Sequence, residues 1–261
     1  MNNELAAQDD VLIFNHIYKT GGNTLLKYLA HQFSPEKTCM HQGINILDMS
    51  RHQISGYQLI AGHYPYSVRQ YSSRSPKHCT LLRHPVRRAI SLYGYLRSLA
   101  EHSDPAIRLA RNCTFEEFVV HPIVLPRISN TMTWFLTCSP DEFLNLSTIT
   151  GDKDLELAKT RLASMPFFGL TERFEDSVRL MHESMGWISA PQQAPQNVTR
   201  LPLADSEVSD DCIEQLQDIN QLDLVLYKFA EKLFAERLSS TLEADDSSLA
   251  THARTTPDCS V

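Results

Sequence analysis

Residues Val11 to Phe33 read VLIFNHIYKTGGNTLLKYLAHQF, and no other stretch constrains the fold as much. Val11 to Tyr18 is rich in apolar, β-favouring residues, the composition of a strand buried on both faces. Leu25, Leu26, Tyr28, Leu29 and Phe33 then recur at helical spacing. Between strand and helix stand Lys19, Thr20, Gly21, Gly22, Asn23 and Thr24. A strand that turns through glycines into a helix aims several backbone N–H groups at one point, where the helix dipole adds positive potential. Such a point attracts an anion, most often a phosphate. Lys19 and the hydroxyls of Thr20 and Thr24 add charge and donors. An ordinary tight turn with a surface lysine would read the same way. The nucleotide-triphosphatase loop G-x-x-x-x-G-K-[ST], moreover, carries its lysine after the glycines, not before them. A second anion site is what separates these readings.

Further along, Tyr57 to Ala61 is a short strand-like run that ends at Gly62-His63-Tyr64-Pro65. This places His63 on a loop at a strand's C-terminal end, the edge where ligands gather in open α/β sheets. A loop histidine making only a structural hydrogen bond would look the same. His78 to Leu82 is another strand, followed by Arg83-His84-Pro85-Val86-Arg87-Arg88-Ala89-Ile90-Ser91. Pro85 suits the first turn of a helix. Arg83 then stands at the strand end, and Ser91 lies two turns into the helix. A planar guanidinium suits a phosphate gripped by two bonds, and it suits an internal carboxylate equally well.

The remainder reads as mainly helical. Segments are expected at Phe115–Val120, Ile128–Thr137 and Asp154–Ser164, with a short strand at Phe167–Leu170 and a helix ending before Gly186. Ser34 to Ser55 is expected as loop with a short helix, and the proline-bearing stretch Ser189 to Leu203 as loop. Cys212 to Leu238 carries the longest amphipathic pattern and predicts one helix. Met1–Asp10 and Ser239–Val261 are expected to be disordered ends, leaving a single folded unit over residues 11–238.

Composition excludes several classes. The chain has 261 residues, 42% hydrophobic and 21% charged, and no run approaches the ~18 apolar residues of a membrane span. With no signal peptide legible in Met1–Asp10, the expected compartment is the cytoplasm. The six cysteines lie far apart without C-x-x-C spacing, which predicts free thiols and no zinc site. The net charge of −7 hides a basic segment between Arg69 and Arg111. An acidic protein with one basic segment implies a local anion cleft and no nucleic-acid surface.

HIYKTGGNTL, then GHYPY, then LLRHPVRRAISLYGYLR, then FFGLTERFEDSV together resemble the carbohydrate sulfotransferases of the heparan-sulfate 2-O-sulfotransferase type, over Val11 to Phe234. The resemblance implies a P-loop-like, three-layer α/β fold with a central parallel sheet flanked by helices. It implies transfer of a sulfuryl group from 3′-phosphoadenosine 5′-phosphosulfate (PAPS) to a hydroxyl, by in-line displacement and without a metal. The acceptor it implies is a saccharide. It puts the phosphosulfate loop on Lys19, Thr20, Gly21, Gly22, Asn23 and Thr24, and the 3′-phosphate site on Arg83 and Ser91. The catalytic histidine falls on His63, assisted by Lys19, and a further cofactor contact falls on Arg200. The chain departs from the family at Tyr18, where a proline is usual, and at His84, where an acid is common. A small-molecule kinase on the same loop, or a binding module that keeps the anion pocket without catalysis, are the alternative readings.

Overall fold

The computed structural model describes residues 11–40, 49–71, 76–100, 103–145, 151–187 and 208–253. Arg200 and Met1–Asp10 lie outside them. Five parallel strands form one sheet: β1 (Val11–Asn15), β2 (Thr38–Met40), β3 (Leu59–Gly62), β4 (Pro76–Leu82) and β5 (Phe167–Leu170), in the order β2-β3-β1-β4-β5. The central strand β1 is wholly buried, as its apolar run predicts. Its residues alternate between two layers. Leu12 and Phe14 point into the larger core with Leu25, Leu29, Phe135, Phe168 and Phe234, whereas Val11 and Ile13 meet Ile54, Tyr64 and Val68 on the other face. The architecture is therefore a P-loop-like α/β sheet covered on both faces.

Helix α1 (Gly22–His31) follows β1, and α2 (Arg51–Ile54) precedes β3. After β4, the long α3 (Pro85–Ser98) leads into α4 (Pro105–Asn112), α5 (Phe115–Val119) and α6 (Leu125–Ile128), which share a second core around Ile90, Tyr93, Phe115 and Phe118. Then come α7 (Thr131–Thr137), α8 (Pro140–Leu144), α9 (Asp152–Ser164), α10 (Phe174–Met185), α11 (Asp210–Asp218) and α12 (Gln221–Ala253). Helix α10 ends at Gly186, which takes the left-handed conformation (φ 64°) expected of a C-terminal glycine. None of the described helices is long and apolar enough to cross a membrane.

Several sequence expectations need correction. The run from Ser34 to Ser55 hides the edge strand β2, three residues too short to show alternation. The pattern from Ile128 to Thr137 is two helices, α6 and α7, because Asn130 sits at φ 42° and interrupts the backbone. The single helix expected over Cys212–Leu238 is likewise α11 and α12, broken at Ile219-Asn220. Within the stretch expected as a tail, Ser239 to Ala253 continues α12, with no glycine or proline to stop it, and residues 254–261 lie outside the described residues.

The two breaks explain each other. The Asn130 side-chain oxygen accepts from the N–H groups of Leu222 (3.0 Å) and Asp223 (3.1 Å), capping α12. Asp223, fully buried on α12, in turn accepts from the N–H groups of Met132 (2.9 Å) and Thr133 (2.8 Å) and from the Thr133 hydroxyl (2.8 Å), capping α7. Asn220 closes the exchange by accepting from the N–H of Asn130 at 3.0 Å. Each helix thus starts on a side chain from the other.

Candidate active site

The C-terminal ends of β3, β1 and β4 lie side by side, with Asn15 in register with Gly62 on one side and Thr80 on the other. From β1 the chain leaves toward β2 at one end of the sheet, and from β4 toward β5 at the other. The crevice where such connections diverge is the ligand position in open α/β sheets. Three of the sequence-predicted elements meet there: the glycine loop after β1, His63 after β3 and Arg83 after β4.

The loop is built to leave its N–H groups open. Lys19 and Gly21 both have left-handed backbones (φ 68° and 81°), and Gly21 caps α1 without any side-chain hydrogen bond or acidic residue in the first turn. A helix start with neither cap nor acid keeps its positive end for a ligand. Other contacts hold the loop's shape. The Thr20 hydroxyl donates to the Ile17 carbonyl at 2.7 Å, so it supports the turn from within. The Thr171 hydroxyl is shared between the Thr20 carbonyl (2.5 Å) and the Leu82 carbonyl (2.9 Å), tying the loop to the end of β4. Arg83 donates from Nη1 to the Lys19 carbonyl at 3.1 Å.

Gly22 is required for a different reason. A Cβ there would stand 2.1 Å from the His16 ring. That ring is buried, stacked against Phe14 at 5.5 Å and against His63 at 4.4 Å, so it has nowhere to go. Gly22→Ala is expected to cost about 1–3 kcal/mol from overpacking, together with a loss of anion binding. Thermal denaturation and phosphate titration of the purified variant check both.

His63 has its tautomer set by the backbone. Its Nδ1 lies 2.6 Å from the His16 carbonyl oxygen, which can only accept, so Nδ1 carries the proton and donates. The Nε2 lone pair is then left for a proton from elsewhere. Burial lowers the His63 pKa below the usual histidine value, partly opposed by that hydrogen bond. The ring is therefore a neutral base near pH 7. His16 behind it is pushed down to about 3, by burial first and then by the charges of His63 and Lys19, and stays neutral throughout.

Lys19 is half-buried, and its pKa is lowered to about 8 by burial and by the neighbouring Arg83 charge. Its ammonium lies 4.0 Å from the ring centre of Tyr95. Tyr95 is one helical turn beyond Ser91 on α3, so Ser91 shares the face that looks toward Lys19. Arg83, Lys19 and Ser91 are thereby gathered at one end of the crevice, with His63 beside the loop's other flank through the Tyr18 ring (6.0 Å, edge-on). Asn23 is half-buried and Thr24 buried, in the first turn of α1.

Some basic residues serve the fold instead. Arg88 is fully buried and donates to the carbonyls of Arg127 (3.2 Å) and Ile128 (3.1 Å) and to the Thr131 hydroxyl (2.6 Å). Glu172 accepts from the His84 N–H (3.0 Å) and the Tyr227 hydroxyl (2.7 Å), fixing the start of α3 against α12. The functional neighbours that sequence reading passes over are His16, Tyr95 and Thr171. His16 stands three residues before Lys19 and Tyr95 four after Ser91, spacings that offered a signal. Thr171 offered none.

The model of the Sulfotransferase family matches residues 3–230. An uncharacterized protein of Archaeoglobus fulgidus is 28% identical over 59% of the chain and 65% of its own length. Heparan-sulfate 6-O-sulfotransferase 2 of Danio rerio is 25% identical over 88% of the chain and 59% of its own length. The chain thus spans about three-fifths of these relatives. Among solved structures, mouse sulfotransferase SULT7A1 complexed with PAP aligns over 87% of this chain and 89% of its own, with 14% identity and a TM-score of 0.43. With its anion loop, its oriented histidine and a family match across most of its length, the chain belongs to the sulfotransferase family.

Proposed function

We propose that this protein transfers a sulfuryl group from PAPS to a saccharide hydroxyl. The observation that carries the reading is the convergence, at one sheet edge, of an open helix N-terminus with Lys19, a histidine whose Nε2 is kept as the base, and Arg83. The residues fit the donor: the α1 start has neither a side-chain cap nor an acid in its first turn, and Lys19 brings a positive charge. Lys19, the loop N–H groups and Thr24 would hold the 5′ phosphosulfate end, and Arg83 with Ser91 the 3′-phosphate. Arg200, outside the described residues, is retained as a proposed contact. Bound there, PAPS supplies an activated sulfuryl group with a good leaving phosphate.

The chain's own residues do the rest. His63 Nε2 takes the acceptor's hydroxyl proton as the oxygen becomes nucleophilic. The Lys19 ammonium and the loop N–H groups place positive charge where negative charge grows on the departing side. The motif resemblance is to the 2-O type, whereas the matched Danio rerio relative is a 6-O enzyme by name, so we favour a 6-hydroxyl on a heparan-type saccharide.

Calorimetric titration without metal tests the donor. Adenosine 3′,5′-bisphosphate is expected to bind more tightly than ADP or AMP, and Arg83→Ala to lose roughly 10–100-fold in affinity. ADP binding equally well, or only with magnesium, would overturn the reading in favour of a kinase. The pH dependence follows from Lys19. The cation is present below its pKa, so affinity for the bisphosphate should fall as pH rises through about 8 in the free protein. The fall should approach tenfold per pH unit, checked by titration from pH 6.5 to 9.5.

A further inference from the structure

Lys19 is held in an unusual way for an anion-binding lysine. Its backbone is left-handed and pinned by Arg83 through the carbonyl, which fixes where the side chain departs. The ammonium ends over the face of Tyr95, 4.0 Å from the ring centre. The other cation–ring pairs among the described residues are all made by arginine. Several of those guanidinium groups are held by carbonyls as well: Arg88 by Arg127 and Ile128, Arg161 by Leu136, and Arg237 by Met165 and Ala163. For these the ring is an addition. For Lys19 the ring is the contact.

The choice of partner matters chemically. A carboxylate would hold the ammonium as well, but it would cancel the charge and compete with an incoming phosphate. An aromatic face attracts the cation through its quadrupole, leaves the net charge intact and yields readily. Tyr95 is suited to this because it is half-buried on the rigid α3, one turn from Ser91. Among the described residues, the charged and titratable groups around the ammonium are Arg83 from the end of β4, His16 from the turn after β1, and Tyr95 from α3. Of these, only the Tyr95 ring attracts it.

We propose that Tyr95 is a positioning residue for Lys19, holding the ammonium at the mouth of the glycine loop by a cation–π contact that orders the charge without neutralising it. This rests on the reading of the loop as the donor site, yet it can be tested apart from it. Competitive labelling of Lys19 with acetic anhydride across pH, read by mass spectrometry, reports the amine's own titration with no ligand present. The parent protein and Tyr95→Phe are expected to titrate together near 8. Tyr95→Leu, which removes the ring face, should titrate roughly 0.5–1.5 pH units lower. Pentafluorophenylalanine at position 95, which keeps the shape and depletes the face of negative potential, should follow Leu and not Phe, and guards against a misfolded Leu variant. Affinity for adenosine 3′,5′-bisphosphate at pH 7.5 should fall ~3–30-fold in the same two proteins. A Lys19 titration unchanged or raised in both would overturn the assignment. If no protein binds the bisphosphate while the titration still moves, Tyr95 keeps its role and the donor reading fails.

Discussion

The His63→Ala protein is expected to bind adenosine 3′,5′-bisphosphate as the parent does, and to turn over ~10²–10⁴-fold more slowly with PAPS and a heparan-type saccharide. The separation of binding from turnover is the point of the experiment. His63 touches the glycine loop only through the His16 carbonyl and through ring contacts, so its loss leaves Lys19, Arg83 and the α1 start in place. What disappears is Nε2, the atom proposed to receive the acceptor proton. The parent's pH profile carries a second signature. With His63 as the proposed base, activity is expected to need the neutral imidazole and to be lost as pH falls through the histidine's pKa. Burial lowers that pKa, so the acid limb should lie below the ordinary 6.5. Near-parental turnover in the variant, or an acid limb above 6.5, would remove His63 from the base role.

The largest effect on stability is expected at Asp223. Both carboxylate oxygens are engaged by donors from the first turn of α7, and the buried Arg88 charge lies close enough to act on it. Asp223→Ala strands two N–H groups and a hydroxyl and leaves Arg88 without its counter-charge. Removing one member of a buried charged arrangement costs about 3–5 kcal/mol. In a domain of this size that lowers the thermal midpoint by roughly 10 °C or more. Asp223→Asn keeps an acceptor while losing the charge, so it should fall between parent and alanine. A loss under about 1 kcal/mol in the alanine variant, by chemical denaturation, would show that α7 does not depend on this cap.

Much of the candidate site's placement was legible because strand-end chemistry is local. Lys19, Gly21, Gly22, His63 and Arg83 each follow directly from a buried run, and the register of β1 with β3 and β4 places those strand ends together. Tertiary partners were not legible. His16 looks like one more residue of a β-favouring stretch until its ring is seen stacked between Phe14 and His63. Arg88 read as part of a basic anion-binding segment, and burial among carbonyls removes it from that role. The helix breaks at Asn130 and Asn220 were missed for the same reason. An apolar periodicity does not reveal that a distant side chain offers the backbone a better partner than the next turn does.

The exchange of caps between Asn130 and Asp223 also sets an order of events during synthesis. The glycine loop, His63, Arg83 and Ser91 all emerge from the ribosome well before α12. Until Asp223 has emerged, the start of α7 lacks its cap, and Phe135 on that helix lacks a settled place beside Tyr18. A nascent chain halted before α12 would carry Lys19, His63, Arg83 and Ser91 while α7 still lacked its cap. The arrangement of these strand ends is therefore expected to settle only once α12 has been made and can return to α7 in the middle of the chain.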